Sequence, residues 1–338
     1  MSAPVVVDGG LAGRVVAATR PMPGGFDVGD AELREGPRRG FATREQLFEF
    51  VRGADAVVSW VSERVDGAFL EAAGEGLKLV ANFAVGFDNI DLDACRRAGV
   101  RVSNTPGAVT DGTADCAVML MLAAARRLSS NDVFVRSGAW SEWGVLGPSD
   151  RLGQPIGGWN ADGSRRSVLI VGAGRIGYAT AARMLGFGLR VMYVSRTGKA
   201  DFEGAPLFAE RVALDEGLRR ADFVSLHVPL TGETRHLIGA RELGLMKKSA
   251  VLVNTARGAV VDEGALAEAL RLGRIWAAGL DVFEDEPRVH EGLVGLENVV
   301  MTPHFGSGSF SSRAAMAGLV SANVRAVLGG GEPVTGVA

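Results

Sequence analysis

The chain has 338 residues, 47% hydrophobic and 22% charged, with a formal net charge of −3. That is the composition of a globular chain long enough for two domains, and without a basic stripe nucleic acid is excluded as the expected partner. Its two cysteines, Cys95 and Cys116, lie in apolar, helix-like stretches, which excludes a disulfide framework and a metal cluster, and no apolar run approaches the ~20 residues a membrane span needs.

Met1–Gly13 reads as a loose leader, and Met1–Asp8 lacks the basic-then-apolar pattern of a signal peptide, so a cytoplasmic protein is expected. Arg14–Thr19, Ala54–Trp60, Leu77–Asn82 and Val100–Asn104 read as buried strands. Helical patterns such as Arg44–Arg52 and Leu92–Ala98 lie between them. This alternation predicts a parallel sheet with helices on its faces. Asp111–Arg127 reads as a long apolar helix, with Met119 and Met121 as packing residues. Gly138–Arg166, holding Trp140, Trp143 and Trp159 among many glycines, reads as a loop or arm.

A second unit begins at Ser167. Its expected strands are Ser167–Val171, Arg190–Val194, Phe223–Val228, Ala250–Thr255, Ala277–Phe283 and Asn298–Thr302. Helices are expected at Leu214–Arg220, Arg241–Met246 and Gly264–Leu272, and six strands suffice for a dinucleotide-binding sheet. A last helix, Ser311–Leu328, is expected to return to the first unit. The fold class is therefore α/β, with two Rossmann-like or flavodoxin-like domains whose parallel sheets flank an active-site cleft. The expected substrate-binding domain is 1–105 with 304–338, and the dinucleotide-binding domain is 106–303.

The first strand of the second unit runs into Gly172-Ala173-Gly174-Arg175-Ile176-Gly177 and then a helix. Strand before and helix after are the context that gives this glycine pattern its meaning. Gly172 allows the tight turn, Gly174 admits the pyrophosphate, and Gly177 lets helix and strand pack closely. The first-turn amides, Arg175 and Ile176 included, face the phosphates. An NAD site needs a carboxylate about 20 residues further on, for the ribose 2′-hydroxyl. From Tyr178 to Ala200 there is no Asp or Glu; Ser195-Arg196-Thr197 stands there instead. A guanidinium and two hydroxyls suit a 2′-phosphate, so NADP is the preferred cofactor. The alternative is that Arg196 stacks on adenine and NAD serves equally.

Three residues follow the ends of later strands: Arg257, Glu286 and His304. In an open parallel sheet, ligands bind outside the carboxyl ends of the strands. Arg257 suits bidentate recognition of a carboxylate. His304 suits proton donation to a developing alkoxide, and Glu286 would orient and charge the imidazole. A small 2-oxo or 2-hydroxy acid is the substrate these groups fit, with hydride transfer as the reaction. Further cofactor contacts are expected from His227 and Pro229 after the third strand, from Thr255 and Ala256 before Arg257, and from His304 and Gly306. Asp281, inside its strand, is expected to accept from the nicotinamide carboxamide. His236, His290 and Asp285 read as exposed. No metal-ligand spacing, nucleophile elbow or P-loop lysine occurs in the sequence.

These residues resemble the D-isomer-specific 2-hydroxyacid dehydrogenase family over roughly Ala17 to Leu328. Val171–Gly177 is similar to its cofactor fingerprint. Val253–Asp262 carries its arginine, Gly279–Pro287 its glutamate and Thr302–Ser307 its histidine. Within that family, Ala81–Asp91 and Tyr193–Thr197 resemble the NADP-dependent glyoxylate/hydroxypyruvate reductases. The resemblance implies that Val85 and Gly86 amides cradle the substrate carboxylate, together with Arg257 and His304. It also implies a homodimer built on Asp111–Arg127 and the Trp140 arm. Gly157–Arg166 looks longer than the family's usual hinge. Other D-2-hydroxyacid dehydrogenases, acting on 2-ketogluconate-like or D-lactate-like acids, are the alternative. A dinucleotide-sensing protein of the corepressor type is another.

Overall fold

A computed structural model describes residues 10–337; most of the stretch read as a leader lies outside them. The chain divides into two units, Met1–Val109 with Gly308–Ala338, and Thr110–Ser307. The divisions fall a few residues later than the sequence suggested, so His304 belongs with the second unit.

The first unit runs β1 (Val15–Ala18), β2 (Glu32–Glu35), α1 (Arg44–Val51), β3 (Ala56–Ser59), α2 (Gly67–Ala73), β4 (Leu79–Asn82), α3 (Leu92–Arg97) and β5 (Arg101–Ser103). The strands form one parallel sheet in the order β2-β1-β3-β4-β5, a flavodoxin-like winding. β3 and β4 are buried along their whole length, because helices cover both faces of such a sheet. Helix starts are chemically marked: Thr43, Asp66 and Asp91 each accept an amide of the first turn. The sequence missed β2. Its residues, Glu-Leu-Arg-Glu, form an exposed edge strand without an apolar run.

The second unit opens with α4 (Thr110–Ala125), followed by α5 (Leu128–Arg136) and α6 (Ala139–Trp143). α6 is a short helix near the start of Gly138–Arg166, the stretch read as a loop or arm. Next come β6 (Ser167–Val171), α7 (Arg175–Leu185), β7 (Arg190–Val194), α8 (Ala200–Glu203), β8 (Glu210–Arg211), α9 (Leu214–Arg220), β9 (Phe223–Leu226), α10 (Ala240–Leu245), β10 (Val251–Asn254), α11 (Glu263–Arg271), β11 (Ala277–Leu280) and β12 (Val299–Met301). The parallel sheet has seven strands, not six, in the order β12-β11-β10-β9-β6-β7-β8. β8 is the extra one, two polar residues at the edge. The strand order reverses between β6 and β9, which is where ligands bind in such sheets.

Successive β6 residues serve opposite cores. Leu169 and Val171 pack with Val224, Leu226 and Leu252, while Val168 and Ile170 pack with α4 through Leu120 and Met121. α4 lies close against β11: a Cβ on Gly279 would stand 2.8 Å from that of Leu120. Met121 is fully buried, whereas Met119 is exposed. The segment 157–166 closes on itself through a Trp159–Arg165 bridge, and Asn160 donates to buried Asp222 at 3.2 Å. Asp222 precedes β9, so this segment is moored at the amino ends of the strands, away from the ligand-binding ends.

The chain ends in α12 (Phe310–Leu328), capped by Ser309 and packed on β3 and β4 of the first unit. Both cysteines are buried and unpaired, and burial pushes Cys95 up to about 11 and Cys116 up to about 12. Among the described residues no helix is long and apolar enough to cross a membrane, and no group of side chains could hold a metal ion.

Candidate active site

β6 ends at Val171 and the chain turns at Gly172, whose φ of +105° favours glycine. A Cβ there would lie 2.6 Å from the backbone of His227 at the end of β9. One on Gly177 would lie 2.3 Å from the Gly172 carbonyl, so α7 can approach only as glycine. Gly174 has nothing within 4 Å of its missing Cβ, which leaves open space before α7. The first helical bond runs from the Tyr178 amide to the Gly174 carbonyl. The amides of Arg175, Ile176 and Gly177 therefore have no acceptor among the described residues, and Gly174 offers no capping side chain. An open helix N-terminus with free amides fits a pyrophosphate. Across the sheet at the end of β10, buried Thr255 Oγ1 is also without a partner. These residues suit a dinucleotide.

Ser195, Arg196 and Thr197 follow β7, with Arg196 and Thr197 exposed. No carboxylate pairs with Arg196 among the described residues.

Arg257 follows β10 and precedes a short 3-10 turn, Gly258–Val260. Asn254 shapes this corner: its Nδ2 donates to the Arg257 carbonyl at 2.8 Å, and its Oδ1 accepts from the Ala256 amide at 3.1 Å. Gly258 sets the corner against the chain leaving β11. A Cβ on it would lie 1.9 Å from the carbonyl carbon of Phe283. Glu286 begins its contacts there, with Oε1 accepting from the Phe283 amide at 3.0 Å. Its Oε2 lies 2.7 Å from His304 Nδ1. A carboxylate only accepts, so Nδ1 carries hydrogen and Nε2 is left for a ligand. The two side chains are 29% and 34% exposed, reachable but not fully hydrated. Burial raises the Glu286 carboxyl, but hydrogen bonding and charge from His304, the Phe283 amide and the Arg257 charge outweigh it and hold it below the usual range. The structure thus brings Arg257, Glu286 and His304 to one end of the sheet.

His304 itself sits at φ +50°, in the left-handed region where a non-glycine residue needs support. Asp281 provides it. β11 stops at Leu280, so Asp281 is just past the strand and not within it. It is buried, and its Oδ1 accepts from Thr302 Oγ1 at 2.6 Å and the Phe305 amide at 2.9 Å, while Oδ2 accepts from the Gly306 amide at 2.8 Å. The carboxylate expected to meet a nicotinamide is largely occupied with the 302–306 turn. A Cβ on Gly306 would stand 3.0 Å from Asp281 Oδ2, which accounts for the glycine.

In the first unit, the loop after β4 carries Val85 and Gly86. The Ala84 carbonyl accepts from the Thr105 amide at 2.9 Å, and Asn104 Nδ2 donates to the Val85 carbonyl at 2.7 Å. In a trans peptide the N–H points opposite its carbonyl. Both the Val85 and Gly86 amides are thereby aimed, and neither has an acceptor among the described residues. Asn82 Nδ2 holds the Gly86 carbonyl at 2.7 Å. Sequence reasoning missed Asn82, Asn104 and Asn254. Their signal was an asparagine at the end of each of three strands.

The remaining candidates separate clearly. His227 Nε2 lies 2.9 Å from Ser225 Oγ, and burial pushes its imidazole down to about 4. Pro229 follows it at the surface. His236 pairs with Glu284 at 2.9 Å, His290 accepts from the Gly292 amide, and exposed Asp285 pairs with Arg288.

Residues 118–306 match the family model described as the NAD-binding domain of D-isomer specific 2-hydroxyacid dehydrogenases. A glyoxylate reductase from Thermococcus onnurineus is 50% identical over 294 residues, 87% of this chain and 85% of that one. The crystal structure of the TT0316 protein from Thermus thermophilus is 39% identical, with a TM-score of 0.84 over 96% of this chain and 100% of that chain. That of an NADPH-dependent glyoxylate/hydroxypyruvate reductase from Sinorhizobium meliloti, in complex with NADP and malonate, is 31% identical, with a TM-score of 0.79 over 96% of this chain and 97% of that chain. With the glycine turn, the three strand-end side chains and both sheets in place, this chain belongs to the D-isomer specific 2-hydroxyacid dehydrogenase family.

Proposed function

We propose that the protein reduces a small 2-oxo acid, glyoxylate or hydroxypyruvate, to the 2-hydroxy acid with NADPH. The observation that carries this reading is the His304–Glu286 pair, 2.7 Å apart, at the same sheet end as Arg257 and the glycine turn. The curated relative from Thermococcus onnurineus bears the name glyoxylate reductase, which supports the substrate class.

Bound NADPH supplies the hydride to the keto carbon. The chain's own residues do the rest. The amides of Arg175, Ile176 and Gly177 hold the pyrophosphate, and the Ser195–Thr197 turn receives the 2′-phosphate through Arg196 and Thr197. Thr255, Ala256, His227, Pro229 and Gly306 line the remaining cofactor. Arg257 pairs with the substrate carboxylate. In the first unit, the Val85 and Gly86 amides are proposed as carboxylate-binding donors. His304 Nε2 gives its proton to the carbonyl oxygen as negative charge develops there. Glu286 stabilises the imidazolium before transfer, and Asp281 holds the turn that presents the ring. His304 then regains a proton from solvent, so one hydride and one proton are added per turnover.

The protein is proposed to work as a homodimer. α5 buries no residue within the chain, and Val133, Val135, Trp140 and Trp143 are all at least half exposed. An apolar surface of this kind marks an association site. Equilibrium sedimentation at the chain mass would refute the dimer.

Initial rates of NADPH and NADH oxidation with glyoxylate, hydroxypyruvate, pyruvate and 2-ketogluconate test the activity. Fast turnover of the two small acids with NADPH is expected. Preference for another acid moves the substrate assignment. Cofactor binding without turnover would instead fit a sensing protein.

A further inference from the structure

We infer that Arg211 is a positioning residue of the 2′-phosphate site, which aims the backbone amides of Arg196 and Thr197 at the phosphate. The inference rests on the NADPH reading and adds to it a residue outside the Ser195–Thr197 segment.

Arg211 lies on β8, the edge strand, where it pairs in register with Tyr193 of β7. Its side chain extends past the end of β7 to the turn beyond. Nε and Nη2 donate to the Ser195 carbonyl at 3.3 and 3.2 Å, and Nη2 also donates to the Arg196 carbonyl at 2.7 Å. No carboxylate pairs with Arg211 among the described residues, although the same strand's Glu210 is held by Arg220 and Arg190. Two consecutive carbonyls are thus turned toward one guanidinium.

Peptide planarity carries the consequence. With the Ser195 carbonyl directed at Arg211, the Arg196 N–H is directed away; with the Arg196 carbonyl so directed, so is the Thr197 N–H. Neither amide has an acceptor among the described residues, and both residues are exposed. Successive amides facing the same way form an anion-binding concavity. The far side of the turn is also fixed: Ser195 Oγ donates to the Thr197 carbonyl, and the Lys199 amide donates to Tyr193 Oη at 3.0 Å. Of the cations here, Arg211 is engaged with backbone, whereas the Arg196 guanidinium has no partner among the described residues.

A clamp and a bare charge predict different behaviour. Lysine keeps the charge but is shorter and lacks the planar fork by which Nε and Nη2 together hold the Ser195 carbonyl while Nη2 reaches that of Arg196, so it cannot reproduce this geometry. Binding of adenosine 2′,5′-bisphosphate and of ADP would be measured by calorimetry on wild type, R211A and R211K, with KM for NADPH and NADH alongside. The expected result is a loss of about tenfold or more in affinity for the bisphosphate in both variants, with ADP affinity and the KM for NADH unchanged. R211K binding the bisphosphate like wild type would overturn the clamp in favour of simple charge. Equal losses for ADP would make Arg211 a general support of the adenosine site and overturn its selectivity. Wild type failing to prefer the bisphosphate over ADP would refute the NADPH reading and this inference with it. A wild-type preference left intact in R211A would refute the inference alone.

Discussion

His304 donates from Nδ1 to Glu286 Oε2 across 2.7 Å, so the ring nitrogen available for proton transfer is Nε2. If that proton reaches the substrate oxygen in the transition state, His304→Ala should lower kcat by ~10²–10⁴. Glu286→Gln should lower it by less, since an amide oxygen still orients the ring but no longer favours its charged form. Affinity for NADPH, followed by quenching of protein fluorescence, should stay within about twofold in both. Parallel losses of turnover and cofactor affinity would assign the pair to binding instead.

Gly258 is the steric link between the corner that bears Arg257 and the chain that bears Glu286. A Cβ there meets the Phe283 backbone at 1.9 Å, and backbone cannot rotate aside as a side chain can. Gly258→Ala should force the two segments apart, at a cost of about 1–3 kcal/mol. The variant should show a lower melting temperature and, in the fraction that remains folded, a kcat loss exceeding that of a mutation at exposed Gly244. An unchanged kcat would mean that the spacing of Arg257 and Glu286 is not set at this contact.

What the sequence made readable follows from burial. Strands such as β9 and β10 are covered on both faces, so each is an apolar run bounded by turn residues. Arg257, Glu286 and His304 were legible because they stand at the ends of such runs. β2 and β8 were not, because edge strands with polar residues carry no apolar run. Arg211 went unread with β8. The supporting shell was equally silent: Asp281 looked like a ligand contact, since no local pattern reveals that its partners are Thr302, Phe305 and Gly306, more than 20 residues away.

In the first unit, Asn104 aims the Gly86 amide by holding the Val85 carbonyl at 2.7 Å. Asn104→Asp is nearly isosteric but replaces the donor by a negative charge facing that carbonyl. The Val85–Gly86 peptide should then lose its fixed orientation, and KM for glyoxylate should rise about tenfold, as expected for a lost hydrogen bond to a charged group. KM for NADPH should not change. Steady-state kinetics with each substrate varied in turn decides this, and a variant with an unaltered KM for the acid would remove these amides from the binding scheme.

His227 makes a prediction about stability that is independent of turnover. Burial pushes its pKa from 6.5 down to about 4, so it is neutral in the folded protein throughout the mildly acidic range. The unfolded chain binds the proton at about 6.5, so between these values it holds more protons than the folded one. Stability must therefore fall as the pH drops through this window, with a slope of at most ~1.4 kcal/mol per pH unit from this one group. Glu286 acts lower down: its depressed carboxyl contributes stability above its ordinary value of 4.5 and loses it as the pH falls from there through the folded value, so it leaves pH 5 almost untouched. Urea midpoints at pH 7 and pH 5 should accordingly separate more for the wild type than for His227→Asn, which keeps a polar contact for Ser225 but has no proton to gain. Equal shifts in the two proteins would show that the imidazole is not shielded from water in the folded state.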